Sequence, residues 1–195
     1  MVGKDTKNHI LQTAKGIILS KGYAAVGLNE ILSTAGVPKG SFYHYFKSKE
    51  DFGVELLQSY LDEHKEFLKA ILLDERVEPF ERIMSLFDLY RAGHEEHQCQ
   101  QLCLVAKLGS EVSDLSESMR AAQSKGIKRW LEVYECCIRE GQEKGSINRN
   151  IDAAAAAALI YDLWQGASVR KQIDHSTEPL ENAIAMIKRL LSPAW

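Results

Sequence analysis

The apolar positions of the chain repeat with the 3.6-residue period of an α-helix. Over residues 6–20 they lie three and four apart, and a cation and a glycine follow where such a helix would end: Ile10, Leu11, Ala14, Ile17, Ile18, then Lys21-Gly22. An alternation typical of strands is missing over any useful length. The pattern therefore predicts an all-α fold with about nine helices.

The other periodic segments have their own start and stop signals. Ser48 with Asp51 three residues on is a variant of the capping box, and Asp152 is a second N-cap. Gly141 and Gly145 are expected to break a long amphipathic run. The predicted helices cover residues 28–35, 39–46, 49–71, 79–91, 101–111, 116–139, 153–168 and 178–191.

Two of these helices are separated by a turn and have the pattern of a helix-turn-helix. Leu28–Ala35 is followed by Gly36, which can adopt positive φ, and Pro38 then forces an extended step. In this unit the second helix lies in the major groove of DNA. Its exposed positions, and the flanking lysines suited to phosphates, are Lys39, Ser41, Tyr43, His44, Lys47 and Lys49. Phe42, Tyr45 and Phe46 are divided between core and rim.

The formal net charge of -3 argues weakly against an anionic partner until it is divided along the chain. Residues 1–50 hold seven lysines against three acidic residues, which is +4, so the remaining residues carry -7. A positive segment joined to a negative one suggests an anionic partner for one end only. A lysine-rich solvated face would have the same charge, and so the motif has to decide.

The segment from Ile31 to Glu50, with Lys21-Gly22-Tyr23 before it, resembles the DNA-binding signature of the TetR family of transcriptional repressors. The resemblance implies a three-helix head over residues 1–48 and a helical effector-sensing and dimerisation domain over residues 49–195. It also implies homodimers on a palindromic operator of double-stranded DNA. Carried over by position, Tyr43 and Lys49 contact phosphates, while Lys39, Ser41 and His44 lie nearest the bases, with Gly40 among them.

Gly27 departs from the family pattern, because relatives place a Ser or Thr there that caps the second helix and touches phosphate. The backbone N–H groups of Leu28 and Asn29 are the expected substitutes for that contact.

The segment from Leu102 to Ser116 resembles a NemR-like branch of the family, which responds to electrophiles through a cysteine. The resemblance implies that Cys103 is the reactive thiol. Lys107, four residues on, would share a helical face with it and favour the thiolate. Cys103 could equally be a small buried hydrophobe. A metal site built from His94, His97, Cys99 and Cys103 matches no familiar zinc spacing, and no metal is expected.

The rest of the body offers weaker signals. Cys136 and Cys137 are adjacent on a helix, so at most one faces the core, and both are interpreted as packing residues. Dimerisation is expected through the last two helices, where the small side chains of residues 153–158 allow close approach, or ease packing within one subunit. Aromatic candidates for a ligand pocket, each of which could be core, are Phe67, Phe87, Tyr90, Tyr134, Tyr161 and Trp164.

The predicted function is a DNA-binding repressor that is released from its operator by a small-molecule effector, and an electrophile that reacts with a cysteine is one candidate for this effector. A purely non-covalent pocket, a thiol-dependent enzyme and an activator are the alternatives. Catalytic signatures are missing: no Ser-His-Asp order, Gly-rich phosphate loop or paired-carboxylate motif is present, so neither enzyme activity nor a cofactor is predicted. No apolar run is long enough to cross a membrane, and a cytoplasmic protein with reduced thiols is expected.

Overall fold

A computed structural model describes residues 2–96 and 104–193 of the 195-residue chain. Within those ranges the regular structure is entirely helical. The helices are α1 Val2–Lys21, α2 Leu28–Ala35, α3 Lys39–Tyr45, α4 Lys49–Leu72, α5 Pro79–Glu96, α6 Leu104–Leu115, α7 Glu117–Lys144, α8 Ala153–Asp174 and α9 Glu178–Leu191. The all-α prediction is confirmed, and none of the described helices is long and apolar enough to cross a membrane.

The sequence signals placed most helix starts, but α5, α6 and α8 continue beyond their predicted ends, and one stop signal was wrong. The hydroxyl of Ser48 accepts the N–H of Asp51 at 3.0 Å, and Asp152 accepts that of Ala155 at 2.8 Å, as expected of N-caps. Gly141, however, lies inside α7, which ends only before Gly145. Ile147 packs so close to Gly141 that an added Cβ would lie 2.5 Å from its Cδ1. The glycine is needed for this contact and does not break the helix.

The chain divides into two units, which we call the N-terminal unit and the second unit. The N-terminal unit contains Met1–Asp62 with Leu102–Gly126, and the second unit contains Glu63–Gln101 with Ile127–Trp195. The division falls within α4 and α7, so each unit includes part of both helices.

The N-terminal unit has an aromatic core. Phe42, Phe46 and Phe52 are almost completely buried, with ring centroids 4.9 to 5.5 Å apart. His9 on α1 contacts the backbone oxygen of Ala35 through Nε2 at 3.0 Å, which joins α1 to the end of α2. The aromatic contacts hold the buried face of α3 against the core and leave its opposite face exposed to solvent.

The second unit has a buried ion pair near the start of α5. The guanidinium of Arg82, 1% exposed, donates to both carboxylate oxygens of Glu140 at 2.7 and 3.0 Å. It also donates to the carbonyls of Leu72 and Val77. Burial of a charge is tolerated when its donors are satisfied in this way. Arg82 therefore ties together the end of α4, the following turn and α7.

Candidate nucleic-acid interface and effector region

The turn between α2 and α3 closes as the sequence requires. Gly36 has φ 64° and ψ 29°, and the N–H groups of Gly36 and Val37 donate to the carbonyls of Ser33 and Leu32. These two hydrogen bonds form a Schellman motif, which needs a residue in the left-handed region of backbone conformation after the end of the helix. Pro38 then adopts an extended conformation, and α3 begins at Lys39.

The exposed face of α3 carries the side chains predicted to meet DNA. Tyr43 is 54% exposed, and its ring packs edge-on to Phe42, 5.5 Å between centroids. Lys39, Gly40 and His44 are exposed, and Ser41 is half-buried. Phe42 and Phe46 thus lie in the core and Tyr45 at its rim, which agrees with the predicted division of the aromatic residues, whereas Ser41 is less exposed than predicted.

Four lysines of the N-terminal unit already face a protein group. Lys7 pairs with Glu55, Lys21 pairs with Glu30, Lys15 lies over the ring of Tyr60, and Lys49 lies over the ring of Tyr23. Lys39, the first residue of α3, and Lys47, just after its end, are exposed, and their ammonium groups form no ion pair within the described part of the chain. These ammonium groups are therefore accessible to an anion.

Lys49 is half-buried and is oriented by Tyr23. Its Nζ donates to the carbonyl of Tyr23 at 3.1 Å and lies 4.7 Å from the ring centroid. The hydroxyl of Tyr23 donates in return to the carbonyl of Lys49 at 2.6 Å. Burial, with Glu50 and Glu111 nearby, raises the pKa of Tyr23 to about 12, so this phenol stays a donor. Two of the three ammonium donors of Lys49 remain for another acceptor.

Gly27 precedes α2 without a side-chain cap. Its carbonyl accepts the N–H groups of Glu30 and Ile31, so the earlier N–H groups of Leu28 and Asn29 lie in the first turn, where the helix supplies no acceptor. Leu28 is half-buried and Asn29 is exposed.

The candidate sensor Cys103 lies outside the described residues, as do His97 and Cys99. It directly precedes Leu104, the first residue of α6. Lys107 lies half-buried on α6. Sequence reasoning missed Glu111 on the same helix, whose carboxylate accepts the N–H groups of Tyr23 and Ala24. No local signal identifies this contact, because its partners are far away along the chain.

The six pocket candidates belong to one aromatic cluster in the second unit. Phe87, Tyr90 and Trp164 have mutual centroid distances of 5.2 to 6.0 Å. The sequence reasoning missed two members: the Nε2 of His64 lies 2.9 Å from the hydroxyl of Tyr90, and its ring contacts Trp130 at 4.3 Å. Other ring contacts join Phe67 to Tyr90, Tyr134 to Phe87 and Tyr161 to Trp130.

The adjacent cysteines of α7 differ in exposure, as their spacing predicts. Cys136 is exposed, while Cys137 is buried and donates to the carbonyl of Pro79 at 3.5 Å. Burial raises the pKa of Cys137 to about 12, against a smaller opposing effect of Arg82. Cys137 therefore stays a thiol near neutral pH.

The exposed polar surface of α3, the tight α2–α3 turn and the helical scaffold define a helix-turn-helix regulator of transcription. The profile described as "Bacterial regulatory proteins, tetR family" matches residues 10–56, and "Tetracyclin repressor-like, C-terminal domain" matches residues 79–187. The chain belongs to the TetR family. Membership confirms the prediction of a regulator and not an enzyme.

Named relatives match over nearly the whole chain. The transcriptional repressor NemR of Escherichia coli K12 is 36% identical over 188 residues, which cover 96% of this chain and 94% of that protein. The repressor DhaR of Mycobacterium sp. strain GP1 is 31% identical over 194 residues, covering 100% and 96%. The resemblance to NemR is thereby confirmed.

Solved structures agree with the fold. The reduced form of E. coli NemR superposes with a TM-score of 0.88 at 38% identity, covering 98% of this chain and 100% of that one. A TetR regulatory protein from Rhodobacter sphaeroides has a TM-score of 0.87 at 31% identity, covering 94% and 97%.

Proposed function

We propose that the chain is a homodimeric repressor whose α3 surface binds a palindromic operator and whose affinity falls when an electrophile modifies Cys103. The observation that carries DNA binding is the exposed polar face of α3 between Lys39 and Lys47, backed by a buried aromatic core. Phosphate contacts from such lysines give affinity, and side chains nearest the base edges give specificity. Since operators lie on the chromosome, the protein works in the cytoplasm.

The assigned contacts divide by position. Lys47, Lys49, Tyr43 and the N–H groups at the start of α2 bind phosphates. Lys39, Ser41 and His44 meet base edges. The similarity to named repressors of two bacterial groups supports repression over activation.

A homodimer is expected to form through α8 and α9, which pack against each other. Exposed apolar or small residues recur along α8 at heptad-like spacing, where they form one stripe: Leu159, Gly166, Val169 and Ile173. Met186 on α9 is 53% exposed. Only part of the alanine run 153–158 is available to a partner, because Ala153, Ala156 and Ala157 are buried within the subunit. An exposed apolar stripe of this length is typical of an interface.

The dimer is tested by replacing one residue of the stripe. Ile173→Glu is expected to give monomers in sedimentation velocity, because it buries a charge in the proposed interface. Leu89→Glu, at an exposed position of α5, is the matched control and keeps the dimer. A dimer that survives Ile173→Glu and Leu159→Glu together would contradict this assignment.

The electrophile site rests on Cys103, followed at once by α6, and on similarity to NemR, whose solved structure is that of a reduced form. A thiolate attacks an electrophile such as N-ethylmaleimide to form a thioether, and the alkene carbon takes up a proton. Lys107 favours the thiolate. The aromatic cluster is the second candidate, because its packed rings would suit a flat non-covalent ligand.

Two experiments test the proposal. DNase I footprinting on the DNA upstream of the gene is expected to give a protected palindrome. N-Ethylmaleimide is then expected to release that DNA from the wild type and not from Cys103→Ser. Equal release from both proteins would exclude Cys103 as the sensor, and failure to protect any upstream site would contradict operator binding.

A further inference from the structure

The turn between α1 and α2 is held by a carboxylate from α6. Oε2 of Glu111 accepts the N–H of Tyr23 at 3.1 Å, and Oε1 accepts the N–H of Ala24. Hydrogen bonds to an ionised carboxylate are roughly twice as strong as neutral ones. Two such bonds link the conformation of this turn to the position of α6 within the N-terminal unit.

The same turn also holds the lysine that is assigned to phosphate. The carbonyl of Tyr23 and the N–H of Ala24 belong to a single peptide unit, which is planar and trans. Lys49 donates to the carbonyl end of this unit at 3.1 Å, while Glu111 accepts from its N–H end. The two side chains therefore bind opposite ends of one rigid peptide group. If Glu111 tilts this peptide, the carbonyl of Tyr23, which accepts from Lys49, moves with it.

The Tyr23–Ala24 peptide lies in a closely packed environment that restricts its movement. A Cβ added at Gly53 would lie 2.7 Å from the hydroxyl of Tyr23, which indicates close packing against α4. Glu50, next to Lys49, accepts the hydroxyls of Ser116 and Ser118, each at 2.6 Å. These hydroxyls lower the pKa of Glu50, which keeps it ionised. The start of α4 is thus tied to the segment that joins α6 and α7.

We propose that Glu111 is a positioning residue for DNA binding, which acts through the Tyr23–Ala24 peptide to direct the ammonium of Lys49 toward a phosphate. This inference rests on the proposed function, because it needs the phosphate contact of Lys49. It adds a route by which a displacement of α6, the helix that follows Cys103, changes DNA affinity without altering α3.

Salt titrations of binding to a short random-sequence duplex test the inference. The slope of log K against log salt reports the number of phosphates neutralised, about 0.9 for each. Lys49→Met is expected to reduce the slope by about that amount, and Glu111→Gln by a similar amount, with several-fold weaker binding. Because both substitutions act on the same phosphate contact, the double variant is expected to have the salt slope and the affinity of Lys49→Met alone. Glu117→Gln, which removes an exposed carboxylate paired with Arg120, is the control and binds like the wild type.

Amide exchange, followed by NMR, shows whether the two hydrogen bonds to Glu111 are lost. In Glu111→Gln, or in Glu111→Ala if the first variant is unstable, the N–H groups of Tyr23 and Ala24 are expected to exchange faster while the rest of the fold is kept. Wild-type slope and affinity in such a variant would overturn the inference, as would additive losses in the double variant. Unchanged exchange would also overturn it, whereas a wild-type protein that binds no duplex contradicts the proposed function itself.

Discussion

Two lysines of the N-terminal unit and two cations of the second unit lie in opposite environments. Lys39 and Lys47 of the N-terminal unit are exposed beside α3, whereas Arg82 and Lys171 of the second unit are each 1% exposed. An exposed ammonium is free to release counterions and bind phosphate, while a buried guanidinium has to be satisfied internally. The same residue types therefore serve binding in one unit and structure in the other, which the total charge of -3 conceals.

The largest expected effect is the loss of the buried cation. Arg82→Ala leaves the carbonyls of Leu72 and Val77 without this donor and leaves Glu140 with Lys144 as its remaining cation, and should reduce the free energy of unfolding by about 2–4 kcal/mol. Urea denaturation measures this loss. Arg91→Ala removes an exposed pair with Asp88 and should change stability by less than about 1 kcal/mol. Equal effects of the two variants would contradict the structural role of Arg82.

A smaller effect is expected from crowding around Tyr23. In Gly53→Ala the new Cβ would lie within 2.8 Å of Tyr23 and Met119, and overpacking of this kind costs about 1–3 kcal/mol. Gly16→Ala, on α1, meets no atom within 4 Å and should instead stabilise the helix by about 1 kcal/mol. Thermal unfolding compares the stabilities of the two variants. A stabilising effect of Gly53→Ala would show that the turn containing Tyr23 is not closely packed against α4.

Thiol reactivity separates the adjacent cysteines of the second unit. Because burial raises the pKa of Cys137 to about 12, iodoacetamide near neutral pH should modify it at least about tenfold more slowly than the exposed Cys136. Peptide mass spectrometry over time measures both rates. Faster labelling of Cys137 would make it, and not Cys103 alone, a candidate sensor.

The smallest effect concerns a helix start that differs between the units. Asp152 caps α8, whereas Gly27 leaves α2 without a side-chain cap. Gly27→Thr should stabilise the protein by a few tenths of a kcal/mol, because its hydroxyl can accept an N–H of the first turn. It should also strengthen DNA binding slightly. Weaker binding would show that the phosphate already occupies that space.

The sequence predicted the turn between α2 and α3 at the level of single residues, because its signals are local. Gly36 and Pro38 specify this turn by backbone conformation alone. The division of Phe42, Tyr45 and Phe46 between core and rim was predicted as well, but the structure was needed to show that Phe42 and Phe46 are the buried ones. The contacts of Glu111 and Arg82 could not be predicted. Each joins helices that are distant in sequence, and a charged residue on a helix is more often exposed.

Binding measurements on the footprinted DNA show whether Lys39 and Lys47 at the two ends of α3, and not cations in general, bind the operator. Fluorescence anisotropy compares Lys47→Gln with Lys128→Gln, an exposed lysine of the second unit. We expect Lys47→Gln to weaken binding and to reduce the salt slope by about 1. Adding Lys39→Gln should lower the affinity and the salt slope further, whereas Lys128→Gln should leave both unchanged. Equal losses from Lys47→Gln and Lys128→Gln, or no loss from the Lys39 and Lys47 variants, would contradict it.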